Sequence, residues 1–199
     1  AGLAQGSGHG GEAGVERPVW PGQRQHHIGQ LPQQVAPDEA ERPAVHTEVT
    51  FENAKSALSH NDSPDIPFDT SLNPYRGCEH GCIYCFARPT HSYLNLSPGL
   101  DFETRLIAKR NIAEVLRAEL GRRAYVPGQI ALGTATDCYQ PIERELRLTR
   151  AVMGVLQEAR HPFGLVTKSS AVEADLDLIA PMAAQGLAVE IEVFLDERL

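Results

Sequence analysis

The sequence predicts an α/β protein in which short buried strands run parallel and alternate with helices. Three observations lead there. Between about residue 61 and residue 194, apolar runs of strand length alternate with stretches whose apolar residues recur at helical spacing. The strands run into polar loops rich in Gly, Ser or Thr. Helices of this length between apolar strands imply parallel pairing through right-handed crossovers. Residues 1–46 lack either period, carrying many Gly, Gln, His and Pro and few large aliphatics. Such a composition buries too little apolar surface to offset its ordering entropy. The expected organisation is a low-order N-terminal extension, 1–60, ahead of an α/β core, 61–199. Within the extension Trp20 is a candidate anchor. His9, His26 and His27 are unstructured histidines with no further sign of metal binding.

Each element has its own reason. Thr47–Phe51 alternates and reads as a short strand. Asn61–Asp69 is turn-rich, and Ser71–Gly77 is a strand running into a loop. Phe102–Ala108 reads as extended. Asn111 is an expected N-cap, with Glu114 completing a capping box, and Ile112, Val115, Leu116 and Leu120 form one apolar face that stops at Gly121. Gln129–Thr134 is a buried strand. Pro141 opens a long helix whose inner face carries Ile142, Leu146, Met153 and Leu156. Phe163–Thr167 is the next strand, ending at Lys168, Ser169 and Ser170. Ser170 and Glu173 form a second capping box for a helix kinked at Pro181 and stopped at Gly186. Leu187–Phe194 is the last strand. It alternates apolar with acidic residues, unlike a strand buried on both faces.

Chain order alone brings three loops to one edge. Ligands of parallel α/β sheets bind at the carboxyl ends of the strands. The loops after Gly77, after Thr134 and after Thr167 all lie there.

Net charge is −8 over 199 residues, which gives no electrostatic footprint for gripping a phosphate backbone. The one local basic excess, at 101–123, reads as a solvated helix face. No apolar run approaches the ~20 residues of a membrane span, and no charged-then-apolar signal opens the chain. A cytoplasmic, reducing setting is expected, where clustered cysteines serve as metal ligands more often than as disulfides. The chain opens on Ala1 rather than Met, as it would if its start were missing.

The chemistry concentrates in Cys78-Glu79-His80-Gly81-Cys82-Ile83-Tyr84-Cys85. Three of the four cysteines fall within eight residues, spaced C-x3-C-x2-C. Three thiols on a tight Gly-containing loop converge on one point, as ligands to a soft metal centre must. A closed zinc site wants four ligands, whereas a 4Fe–4S cluster held by three thiolates keeps one iron open. Cys138, the odd thiol, reads as a small buried filler. His80 and His91 are expected to point outwards, and Met153 inwards.

The spacing, with Tyr84 just before the third Cys, resembles the cluster loop of radical S-adenosylmethionine enzymes. Asn73-Pro74-Tyr75-Arg76-Gly77 before it and Phe86-Ala87-Arg88-Pro89-Thr90-His91 after it resemble the branch related to spore photoproduct lyase, often labelled DNA repair photolyase-like. The similarity runs from about Asn61 to about Gly186. It implies a partial (βα) radical-SAM barrel of about three to four βα units, a 4Fe–4S cluster on Cys78, Cys82 and Cys85, and S-adenosyl-L-methionine chelated at the fourth iron. It further implies reductive cleavage of that cofactor to a 5′-deoxyadenosyl radical that abstracts hydrogen, in lyase-like chemistry. Tyr84 would pack near the adenine. Thr134, Thr136 and Asp137 would meet the amino group or ribose, and Lys168 and Ser169 the carboxylate. Reduced ferredoxin or flavodoxin would donate the electron, and DNA is a substrate by analogy alone. A complete core of this kind has six units, so the chain is expected to be cut short on its C-terminal side, leaving an open strand edge. Two other readings stand beside this one. The first is a non-catalytic metal-binding protein, zinc or iron–sulfur, and the second a nucleic-acid-binding protein without catalysis.

Overall fold

Two sheets carry the fold, which a computed structural model describes over residues 46–193. These residues all lie in one unit, Pro43–Leu199. Strands β1 (Glu48–Glu52), β2 (Ser59–His60), β3 (Thr70–Leu72), β4 (Tyr75–Arg76), β5 (Arg105–Lys109), β6 (Ile130–Leu132), β7 (Phe163–Thr167) and β8 (Ala188–Val193) follow in chain order. The larger sheet has the order β2-β3-β6-β7-β8 and the smaller β1-β5-β4. In the larger sheet β3, β6, β7 and β8 are parallel, with β2 antiparallel at the edge. In the smaller, β1 runs parallel to β5 and β4 antiparallel to it. The helices are α1 (Leu100–Thr104), α2 (Ile112–Leu120), α3 (Glu143–Leu146), α4 (Leu148–Glu158) and α5 (Leu176–Ala183). Three crossovers link the parallel strands: α2 precedes β6, α3 and α4 precede β7, and α5 precedes β8. The protein is therefore mixed α/β.

The core follows from the patterning. Leu72, Ile130, Leu132, Phe163 and Leu165 on the sheet meet Ile112, Leu116, Val152, Leu156 and Ile179 on the helices, all buried. Each such side chain contributes about 1.5–3 kcal/mol by leaving water. Met153 is fully buried, as its position on the apolar face of α4 requires. Helix α4 packs against both α2 and α5. Among the described residues no helix is long and apolar enough to cross a membrane.

Several elements differ from expectation. The ordered chain begins before residue 61. Strand β1 pairs with β5 along its whole length, and Ala57 and Leu58 enter the core. The part of the extension at 1–45, with Trp20 and the three histidines, lies outside the described residues. The strand expected at Ser71–Gly77 breaks at Asn73-Pro74 into β3 and β4, which join different sheets. Phe102–Thr104 is helical, and extension begins only at Arg105. Asn111 does sit at the start of α2, but its amide accepts from the Ala54 N–H at 2.7 Å and donates to the Ala54 carbonyl at 3.1 Å instead of capping the helix. The long helix expected from Pro141 is broken at Arg147, whose φ is +51°. There the Glu143 carboxylate accepts from the N–H groups of Thr149 and Arg150 at 2.8 and 3.2 Å, capping α4 from outside. The second cap is Ser169, not Ser170: its Oγ accepts from the Ala171 N–H. The segment Ser170–Asp175 winds as a 3-10 helix before α5. In the last pairing Glu190 lies opposite Gly164 and Glu192 opposite Val166; Phe194, expected to end the strand, lies outside the described residues.

Two glycines should respond in opposite directions to alanine. Gly133 has φ +78°, and a Cβ there would stand 2.3 Å from the Val166 carbonyl oxygen. Gly133→Ala should cost at least ~2 kcal/mol and lower Tm by more than ~4 °C. Gly154 lies inside α4 with nothing within 4 Å of an added Cβ. Gly154→Ala should instead raise stability by about 0.5–1 kcal/mol. Thermal unfolding of the two variants checks both signs.

A pH dependence follows from His161. It is buried, its Nε2 accepts from the Tyr125 hydroxyl at 2.7 Å, and burial pushes its pKa down. Below about pH 6.5 the unfolded chain therefore takes up this proton before the folded one. Stability should fall as pH drops through that range, and His161→Gln should flatten the slope in denaturant titrations at several pH values.

Candidate metal and cofactor site

The cysteine loop is held by its neighbours rather than by regular structure. Gly77 and Gly81 take φ of +83° and +62°, letting the backbone enter and round the loop. Arg88, just past the third Cys, is its main staple. Its Nε donates to the Cys82 carbonyl at 2.9 Å and one Nη to the Gly81 carbonyl at 2.7 Å. The guanidinium also bonds the Gly99 carbonyl, pairs with the Glu103 carboxylate and lies 5.5 Å from the Phe102 ring centre. On the other side Gln140 accepts from the Glu79 N–H at 2.9 Å, and the Glu79 carboxylate accepts from the Ile142 N–H at 2.7 Å. His91, expected on the surface, is instead fully buried, its Nε2 3.0 Å from the Arg105 carbonyl and its ring edge-on to Phe102. It fills the space beneath the loop.

The strand ends are tied together beside it. Asn73, just after β3, accepts from the N–H groups of Ala135 and Thr136 at 3.0 and 3.3 Å. Its amide nitrogen reaches the Thr134 hydroxyl at 3.4 Å. The Thr136 hydroxyl donates to the Tyr75 carbonyl. Asp137 is buried, and its carboxylate accepts from the N–H of Tyr139 at 2.8 Å, the hydroxyl of Thr167 at 2.7 Å and the N–H of Lys168 at 2.6 Å. Burial alone would push this carboxyl up. The His80 imidazole and these donors outweigh it and hold it below its usual range.

The result is one cavity of about 210 Å³ lined by Cys78, Cys82, Cys85, His80, Tyr84, Phe86, Thr134, Thr136, Asp137, Thr167 and Lys168, among others. It thus gathers all three loop cysteines and five of the six residues expected at the cofactor. Ser169 does not line it; its hydroxyl is spent on the helix cap. Lys168 and Tyr84 meet each other: the ammonium donates to the phenol oxygen and stands 4.5 Å from the ring centre. That bond pushes the Lys168 amine up to about 12. Cys138 is wholly buried in the core and does not line the cavity.

The donor set fits a soft metal centre. All three loop cysteines are free thiols on one cavity. Burial pushes the Cys78 thiol up to about 12, so a bound metal would have to displace its proton. Among the described residues no three His, Cys, Asp or Glu side chains already stand at metal-ligand spacing. The cavity, at about 210 Å³, is smaller than the ~300–1,000 Å³ of ordinary small-molecule sites, and Tyr84 and Lys168 both line it.

His80 is the residue that sequence reasoning misplaced. Its side chain is 5% exposed, and Nε2 lies 3.3 Å from the Asp137 carboxylate. The available signal was its position between the first two cysteines, whose side chains line one cavity. Asn73, Glu79 and Gln140 were also missed as positioning residues, because their partners lie about sixty residues away.

Arg88→Ala should free the cysteine loop. Losing several charge-assisted bonds should cost about 2–3 kcal/mol and expose Gly81–Phe86 to protease in the metal-free chain. Urea unfolding and limited proteolysis measure both, and a cost under ~0.5 kcal/mol would mean the loop stands without it.

No family model matches the chain, and no solved structure does. The chain is 42% identical over 150 residues to the uncharacterized protein Rv2578c of Mycobacterium tuberculosis (strain H37Rv), covering 74% of this chain and 44% of that one. The same figures hold for the uncharacterized protein Mb2609c of Mycobacterium bovis. It is 26% identical over 147 residues to the uncharacterized protein MJ0683 of Methanocaldococcus jannaschii, covering 74% of this chain and 52% of that one. The chain thus spans about half the length of the curated relatives it matches.

Proposed function

We propose that this chain is the cofactor-binding part of a radical S-adenosylmethionine enzyme resembling the spore photoproduct lyase branch. Cys78, Cys82 and Cys85 hold a 4Fe–4S cluster, and the cavity beside them takes S-adenosylmethionine. One observation carries the reading: the three closely spaced thiols and eight residues from the two following strand ends line a single cavity at the carboxyl edge of parallel strands. On this reading the βα units belong to a partial radical-SAM barrel within 61–199.

The chemistry that the bound groups supply is reductive cleavage of the sulfonium to a radical able to abstract hydrogen. The chain's own residues bind and orient. Lys168, whose ammonium meets Tyr84, would pair with the cofactor carboxylate. The Tyr84 ring would pack against the adenine, and the Thr134 hydroxyl would supply a polar contact. Asp137 and Thr136 act one step back: their oxygens are already engaged with the backbone and side chains that shape the cavity. The exposed apolar side chains of Ile83, Tyr84 and Phe86 at the loop keep water from the cluster once a partner or substrate covers them. Reduced ferredoxin or flavodoxin supplies the electron in a cytoplasmic setting, and a nucleic-acid substrate remains an analogy with the resembling branch.

The test is metal and sulfide content after anaerobic reconstitution, read with EPR of the reduced protein. About four irons and four sulfides per chain are expected, lost in Cys82→Ala, with a spectrum that changes on adding S-adenosylmethionine. One zinc and no sulfide would establish the non-catalytic metal-binding reading instead. A cluster whose spectrum ignores the cofactor would remove the enzyme reading while keeping the metal loop.

A further inference from the structure

One side chain at the cavity is only half accounted for. The His80 side chain is 5% exposed; its Nε2 meets the Asp137 carboxylate at 3.3 Å, while its Nδ1 is buried with no hydrogen-bond partner. Buried polar groups in native structures are almost always satisfied, so the orphaned Nδ1 calls for a ligand. His80 is not a random orphan. It lines the same cavity as Cys78, Cys82 and Cys85, and its Nε2 faces the Asp137 carboxylate at 3.3 Å. Asp137 in turn cannot swing away, because Tyr139, Thr167 and Lys168 all donate to it.

A carboxylate facing one imidazole nitrogen selects the tautomer with its proton there. The other nitrogen, Nδ1, is then a bare lone pair. Carboxylate–histidine–metal arrays work in this way, the carboxylate fixing the ring and raising its basicity. We propose that His80 is a fourth protein donor to the metal centre of the cysteine loop, through Nδ1, with Asp137 as its positioning residue. This rests on the reading of the three cysteines as metal ligands. It adds that the position the thiolates leave open is filled by imidazole until a chelating small molecule displaces it. The chemistry is the same whether the metal is the odd iron of a cluster or a single zinc, since imidazole suits both.

Pulsed EPR on the full chain tests this without any assay of turnover. The chain is reconstituted anaerobically with iron and sulfide and, separately, loaded with cobalt(II) in place of zinc, with its histidines labelled with ¹⁵N. A histidine nitrogen coupling to the paramagnetic centre is expected in the unmodified chain and should vanish in His80→Ala while the three thiolates keep metal bound. Asp137→Asn should keep the coupling but weaken retention against a chelator by about 10–100-fold. Thermal unfolding of the same variant separates that effect from loss of the fold. Metal uptake with no histidine coupling, or a coupling unchanged in His80→Ala, would overturn the assignment and leave the cysteine reading intact. Failure of the unmodified chain to take up either metal would overturn both.

Discussion

The carboxylate of Asp137 is the point on which the site depends. Three segments distant in sequence end beside it: the cysteine loop through His80, the turn after β6 through Tyr139, and the end of β7 through Thr167 and Lys168. Burying a carboxylate is costly unless it is fully bonded. Here the donors outweigh the burial, since the group stays ionised below its usual range. Because two donors are backbone N–H groups, the charge fixes chain direction as well as side chains. The loops at the carboxyl edge are therefore set by one buried charge rather than by regular structure.

A second buried acid does the same job one layer down. Glu143 accepts from the Tyr75 hydroxyl and from the N–H groups of Thr149 and Arg150, joining the strand before the cysteine loop to the start of α4. Burial pushes this carboxyl up, opposite to Asp137. The contrast is physical. Each carboxylate accepts from three donors, and Asp137 also faces the His80 imidazole, which favours its charged form. Around them Gln140, Asn73 and Glu79 hold backbone to backbone across gaps of about sixty residues. Polar networks of this kind specify one arrangement when complete and are expensive when broken.

This explains which parts were legible in the sequence. The strands at Ile130–Leu132 and Phe163–Thr167 and the helix Ile112–Leu120 were readable because periodicity reports burial directly. That the three thiols share one cavity was readable from their close spacing on a tight loop. The caps were not. Asn111 and Ser170 carry the right chemistry for capping, but Asn111 is bound to Ala54 and the cap falls to Ser169. A side chain that can bond several backbone groups is settled by tertiary neighbours, which local pattern does not contain. The break at Arg147 was hidden for the same reason, since the Glu143 carboxylate that folds back onto Thr149 and Arg150 is also held by the Tyr75 hydroxyl, 68 residues away. His80 was misplaced because a polar residue on a loop is solvated by default, and only the buried carboxylate opposite reverses that default.

The basic stretch at 101–123 divides between the surface and the interior. Arg105 pairs with Glu48, Arg117 with Glu158 and Arg122 with Glu119, while Arg110 donates to Asn53. Lys109 is not on a solvated face at all: its ammonium donates to the Asn73 carbonyl at 2.8 Å, and burial lowers its pKa. It supports the residue that ties the β3 and β6 ends together. The three arginine ion pairs lie at the surface, where such pairs contribute little. Lys109 alone of these cations is spent inside the fold, and through Asn73 it helps to hold the shape of the cavity at the β3 and β6 ends.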